Sequence, residues 1–330
     1  MPLPMPPDRS SRWWHDRRAR PLALLGGLLV ASGLVHLAVW AVLGGPWEGP
    51  VTWRKPILFG LSAGLTSVSL GWGWSHLPWR RSDGLLATLT AWALFIEVAL
   101  IDLQRWRGVA SHFNRATPFD SFVYDAMGGL ILVVSLVAAD LTIRLFRQST
   151  DLDPATLTAT RAGMVLLVVS CGLGMWASVH GDQQSSRGLP ADLFGTAGAP
   201  KYPHGAAIHA LQWLPLMAWG ARRAGLSERW RQRLVNAAVT GSVLILAYAM
   251  TQTLLGRARF DATPHTAVLL VGGVTLLTGP CLVIAGAWVG RLGRAGQMRL
   301  SSTHRDLTCR DTEMKECPVL ESNQEPSDEE

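Results

Sequence analysis

The sequence predicts an all-α fold, a polytopic transmembrane helical bundle of about eight spans arranged as a 4+4 parallel internal duplication. Three observations predict it. Only 16% of the 330 residues are charged while 48% are hydrophobic, against about 25% charged in a soluble domain. The apolar residues gather into long runs, and the arginines fall in the gaps between them. Polar punctuation in the first half of the chain returns in the second.

A hydrocarbon core about 30 Å thick takes roughly 20 apolar residues per helix. Runs of that kind fall at 21–43, 57–77, 84–104, 121–145, 161–180, 204–221, 234–255 and 265–290. The leader, residues 1–20, is basic and resembles a signal peptide. The run after it is longer than a signal core and lacks a small-residue cleavage site, so it is expected to stay as the first span. Span two opens on Lys55-Pro56. Span three carries Glu97 and Gln104 in an apolar context, and span four follows Thr117-Pro118, a helix-start signal. Span five repeats the first in part, LLVVS against LLVAS. Span six is the least apolar, since HGAAIHALQWLPLMAW holds two histidines and a glutamine. Span seven ends on Gln252 and span eight at Gly290. The polar tail, 291–330, has no apolar periodicity and is expected to be disordered and cytoplasmic.

The repeat rests on polar matches. QRWRGVASHFNRATP from Gln104 and QTLLGRARFDATP from Gln252 share Q, G, A, F, A, T and P in order, with two gaps. Arg54-Lys55-Pro56 and Lys201-Tyr202-Pro203 open spans two and six at nearly the same offset, about 147 residues. Four spans per unit is an even number, so units 21–145 and 146–290 would share one orientation about an axis along the membrane normal.

Charge sets the expected side. Arginines crowd the leader, the link after span two, the end of span four, the link after span six and the exit of span eight. By the positive-inside rule both termini are then cytoplasmic, in a bacterial plasma membrane. The exceptions are Arg54, Lys55, Arg105, Arg107, Arg115, Arg187, Lys201, Arg257 and Arg259. The net charge of +6 therefore reads as topology and not as nucleic-acid binding. Cys171, Cys281, Cys309 and Cys317 form no CxxC or paired framework, so neither a disulfide scaffold nor a zinc site is indicated.

With this topology, polar groups from several helices converge on the outer half of the membrane, where each is costly unless paired or used. They include His36, Glu97, Gln104, Arg107, His112, Asn114, Asp125, His209, Gln212 and Gln252. Each also has a plain structural reading: a histidine bonded to a carbonyl, a neutral glutamate packed between helices, a capped loop at Ser111–Asn114. Three chemical readings stay open. His36 and His209, at similar depth on different helices, would be axial ligands of a b-type haem, with a quinone beside Glu97, Gln104 and His112. Alternatively the cluster would belong to a transporter or receptor for a small polar or anionic solute. Arg107, Arg257 and Lys55 would then meet the anion, and Glu97 would carry a coupled proton. A metal-dependent hydrolase using His112, Asp120, Asp125 and His209 is the third, with no HExxH or paired acidic motif behind it. The haem or quinone reading stands slightly ahead of the solute reading.

The run Arg107–Asn114 (RGVASHFN), Lys55-Pro56, His209–Pro215 (HALQWLP), and Gln252 with Gly256 resemble a group of uncharacterised bacterial multi-span membrane proteins. The resemblance covers most of 20–290. It implies a bacterial plasma-membrane location and a role for those positions, and it implies no substrate. Residues 185–203 only partly match the glycine- and tryptophan-bearing loop expected there.

Overall fold

The computed structural model describes residues 13–313, with side chains through Arg291. Within these residues the chain is helical throughout: α1 (Ala19–Leu43), α2 (Arg54–Ser75), α3 (Asp83–Trp106), α4 (Pro118–Arg147), α5 (Pro154–Ser186), α6 (Lys201–Ile208), α7 (Ala210–Arg223), α8 (Glu228–Leu254) and α9 (Pro264–Glu313). No strand forms among the described residues beyond one isolated bridge, Phe194 to Gly198. Seven of the helices, α1 to α5, α8 and α9, are long and apolar enough to cross a membrane. Leu24, Val35, Phe122, Leu136, Val243 and Val271 lie exposed along them, an apolar perimeter that suits lipid. The protein is an integral membrane protein that contacts the bilayer through several helices.

Two expectations need correction. Span six is not one helix: it breaks at His209, whose φ of −95° and ψ of 5° separate α6, 8 residues, from α7, 14 residues. Neither piece alone is long enough to span. His204, His209 and Gln212 interrupt the apolar run, and Pro215 removes a backbone donor from the helix just beyond the break. The tail also differs. α9 continues to Glu313, because extending an existing helix is far cheaper than starting one and 297–313 contains neither proline nor glycine. Residues 314–330 and the first 12 lie outside the described residues.

Small residues set the tightest packing. α1 and α2 approach so closely that a Cβ on Gly64 would lie 2.6 Å from the Gly26 carbonyl oxygen, and one on Gly60 would lie 2.8 Å from the Gly33 nitrogen. Gly241 on α8 meets the carbonyl of Gly273 on α9 in the same way. Lipid supplies little hydrophobic drive between helices, so close backbone approach and dispersion must hold them. A central cluster of Leu22, Trp74, Ala91, Leu141, Met164 and Leu211 draws on both halves of the chain.

The arginine-rich end is closed by a buried ion network. Asp83, the first residue of α3, is fully buried. Arg144 in the last turn of α4 grips it with two bonds, 2.7 and 3.1 Å, and donates to the Pro78 carbonyl at 2.8 Å. Arg18 reaches the same carboxylate at 3.3 Å, donates to the Leu77 carbonyl at 2.8 Å, and also pairs with Asp16 at 2.7 Å. Acid at a helix start and base at a helix end both complement the macrodipole.

The α3–α4 and α8–α9 turns are built alike. Each first helix ends on a left-handed glycine, Gly108 (φ 74°) or Gly256 (φ 65°). The next amide reaches back five residues, Val109 to Gln104 and Arg257 to Gln252, as in a Schellman cap. Each second helix starts with proline after a capping threonine, Thr117 accepting from the Asp120 amide and Thr263 from the Thr266 amide.

Candidate anion site at the loop end of the bundle

The polar groups picked out in the sequence separate into clasps and one open depression. Gln104 and Gln252 are clasps. Both are fully buried, and each bonds to its own hairpin. Gln104 Nε2 donates to Asp120 at 2.9 Å, while Arg107 donates to Gln104 Oε1 and, at 2.7 Å, to Asp120. Gln252 Nε2 donates to the carbonyls of Ala258 and Asp261 at 3.1 and 2.8 Å. Asn114 bridges the Ala110 carbonyl and the Ala116 amide within its own loop. Asp125 shares Arg115 with Asp182, which ties α4 to α5. The SHFN run has a further packing role: Phe113 takes a left-handed φ of 58° and lays its ring against Gly181.

The two histidines proposed as haem ligands stand in different seams. His36 is buried between Trp53 and Trp106. Its Nδ1 lies 2.9 Å from the Ser32 carbonyl and its Nε2 accepts from Trp106 Nε1 at 3.0 Å. Both ring nitrogens are occupied, so neither lone pair faces a metal. His209, at the helix break, lies 3.3 Å from Ser62 Oγ on α2, and Gln212 one turn on donates to Thr66 at 3.1 Å. These residues do not fit a bis-histidine haem. Among the described residues no group of three or more His, Cys, Asp or Glu could hold a metal ion, which leaves the hydrolase grouping scattered.

Glu97 on α3 is 7% exposed, and its carboxyl makes no hydrogen bond among the described residues. Ile101, one turn further along the same helix, forms the floor of a shallow depression whose walls stand too close together to admit a water molecule. Its other walls are Pro50, Val51, Thr52, Lys55, Arg105, Val109 and Ser111. Most of the positive charges at this end have a carboxylate: Arg54 with Glu48, Arg107 with Asp120, Arg115 with Asp125, Lys201 with Asp192, Arg257 with Asp261. Lys55, Arg105, Arg187 and Arg259 have none, and of these only Lys55 and Arg105 line the depression. Lys55 Nζ donates to the Pro50 carbonyl at 3.2 Å, and the Arg105 guanidinium lies 3.8 Å from the Trp53 ring centre. Arg105 Nε and Thr52 Oγ1 are buried with no hydrogen-bond partner, although Thr52 is only 1% exposed. Lys55 was legible from its Lys-Pro context. Arg105 showed only as an exception to the charge rule, and Thr52 gave no signal at all.

His112 follows Ser111, one wall of this depression. Its ring packs against Phe59, Phe113 and Tyr124, and Ser111 Oγ lies 2.9 Å from its Nδ1. Burial, then the positive charge of Lys55, pushes its pKa from the ordinary 6.5 down to about 3. The unfolded chain binds this proton at the ordinary value while the folded one refuses it. The contribution of His112 to stability is therefore complete above pH 6.5 and lost as pH falls toward about 3. Thermal unfolding in detergent at about pH 7 and about pH 5 should show a drop that shrinks in His112→Gln. An equal drop in both proteins would remove His112 as its source.

No family model, no curated protein and no solved structure matches this chain.

Proposed function

We propose that the protein binds a small anionic solute in the depression between α2 and α3, as a transporter or receptor does, on the outer side of a bacterial plasma membrane. The observation that carries this reading is the pair Lys55 and Arg105: two cations without a carboxylate, both lining one narrow depression beside an unpartnered buried hydroxyl. A buried donor left empty costs about 1–3 kcal/mol, and a ligand acceptor would recover it. The fold has two four-span units, with α6 and α7 together making the sixth crossing and both termini cytoplasmic. The like-built hairpins after Gln104 and Gln252 support the duplication. So does the meeting of Ser62 with His209 and of Thr66 with Gln212, 147 and 146 residues apart. A residue that touches its own counterpart is what an axis between two repeats produces. The arginine-rich end at Arg18, Arg144 and Arg231 supports the orientation. The RGVASHFN and HALQWLP runs favour membership in the bacterial group they resemble.

Glu97 favours proton coupling as a second element of this reading. A carboxyl buried one turn below the floor, with no bonded partner, is suited to exchange a proton as the anion comes and goes. A broken helix such as α6–α7 is also a common feature of transporter cores.

The test is thermal unfolding of purified protein in uncharged detergent against acetate, nitrate, bicarbonate, phosphate and sulfate. At least one anion should raise Tm saturably, and the rise should vanish in Lys55→Met with Arg105→Met. No response to any anion, or a response that survives in the double variant, would overturn the reading.

A further inference from the structure

We infer that the depression, once Lys55 swings off the Pro50 carbonyl that holds it at 3.2 Å, takes a tetrahedral oxyanion, the phosphate group, supplied either free or as a lipid headgroup. This rests on the anion reading above and narrows it. The donors come from four separate points on the chain: Thr52 before α2, Lys55 in its first turn, Arg105 at the end of α3 and Ser111 in the following loop. A planar carboxylate is satisfied by a single guanidinium fork. Here the Arg105 plane is committed to Trp53, 3.8 Å from its centre, and its buried Nε is free. One edge from arginine, an ammonium and two hydroxyls, arriving from different elements, suit an acceptor with oxygens in several directions.

The start of α2 adds to this. It has no side-chain cap, so its first amides are left without the usual acceptor, and the positive end of the dipole of a 22-residue helix lies at the depression. The second observation is independent of the helix end: Thr52 Oγ1, buried and unpartnered, lines the same space. The carboxylate nearest in influence, Asp192, is already paired with Lys201 at 2.9 Å.

The corresponding end of the second half is closed. Thr253 Oγ1 donates to the Ala199 carbonyl at 3.1 Å, Tyr248 OH donates to the Arg259 carbonyl at 2.7 Å, and the Arg259 guanidinium lies over Tyr202. Ala199 and Tyr202 stand where the repeat offset places Thr52 and Lys55. One site per chain follows.

Isothermal titration of the full chain in uncharged, phosphate-free detergent would test this with inorganic phosphate, short-chain phosphatidylglycerol and acetate as probes. One phosphate compound should bind at one site per chain, about tenfold or more tighter than acetate. Binding should weaken about tenfold in Thr52→Val. That variant also separates binding from folding. It removes a hydroxyl that has no partner in the protein, so its Tm without ligand should hold or rise. Binding of free phosphate identifies a soluble source, and binding of the phosphatidylglycerol alone identifies a headgroup; both support the inference. Acetate binding as tightly as either phosphate, with dependence on Lys55, sinks the oxyanion inference and leaves the anion reading standing. Silence from all three probes sinks both, and unchanged phosphate affinity in Thr52→Val sinks the assigned donor set.

Discussion

Asp83→Ala is expected to cost about 3–5 kcal/mol, the range for breaking a buried ion pair by removing one partner, and to leave little protein surviving extraction in mild detergent. Arg144, only 1% exposed, would keep its charge inside the bundle with the Pro78 carbonyl, Gln148 Oε1 and the half-exposed, more distant Asp140 as its remaining partners. Arg18 would lose its buried partner but keep Asp16. The loss should therefore fall mainly on Arg144, and Asp83→Leu combined with Arg144→Met should recover much of the stability. Replacing both partners by apolar groups of similar size removes the stranded charge. Asp140→Ala is the control. That carboxylate is about half exposed and contacts Arg80 and Arg144 at 3.4 and 3.7 Å, so about 1 kcal/mol or less is expected. Fluorescence-detected size exclusion after heating measures all of these. Equal losses in Asp83→Ala and Asp140→Ala would show that the buried network is not what closes this end.

That network marks where sequence reading stops. Arg144 and Arg18 stand in gaps between apolar runs and read as orientation charges, which accounts for their presence without predicting a partner. The carboxylate they share lies 61 residues before Arg144, and no periodicity connects them. The long spans were legible for the opposite reason. A bilayer requires a long apolar run wherever a helix crosses, so composition alone exposes α1 to α5, α8 and α9. α6 and α7 were legible only as the weakest run. The break at His209 is a backbone event, and its polar residues would equally suit a helix facing a cavity.

The candidate site divides the same way. A polar residue in an apolar run shows that the group must be satisfied, but not by what. Gln104 and Gln252 were picked out as groups for a binding site, yet each is buried against partners in its own hairpin. His36 was picked out as a ligand donor, yet Ser32 and Trp106 use both of its nitrogens. The depression is defined instead by groups that lack partners, and a missing partner is a property of three dimensions. Thr52, an ordinary threonine between Val51 and Trp53, becomes informative only when its hydroxyl is seen to face nothing. Lys55 and Arg105 become informative only when their neighbours Arg54, Arg107 and Lys201 are seen to be paired.

Gly64→Val is expected to be the most damaging single change in the membrane interior. The new Cβ would lie 2.6 Å from the Gly26 carbonyl oxygen and 2.7 Å from a Val30 methyl. The first of these is backbone on a facing helix, so no rotamer change relieves it and α1 must move away from α2. Overpacking a close contact costs about 1–3 kcal/mol when the surroundings can shift. Here the shift would also open the contacts at Gly33 and Gly60, so the loss should reach or exceed the upper end. It should also spread to the depression. α2 carries Lys55 in its first turn, and Trp53, which supports Arg105, immediately precedes it. Anion binding should therefore weaken in Gly64→Val although Gly64 touches no residue of the site. Gly27→Ala provides the contrast, since a Cβ there meets nothing within 4 Å. Alanine is the better helix former by about 1 kcal/mol, so stability should hold or rise. If Gly64→Val and Gly27→Ala unfold at the same temperature, α1 and α2 are not joined through their glycines. The positioning of Lys55 and Arg105 would then need another cause.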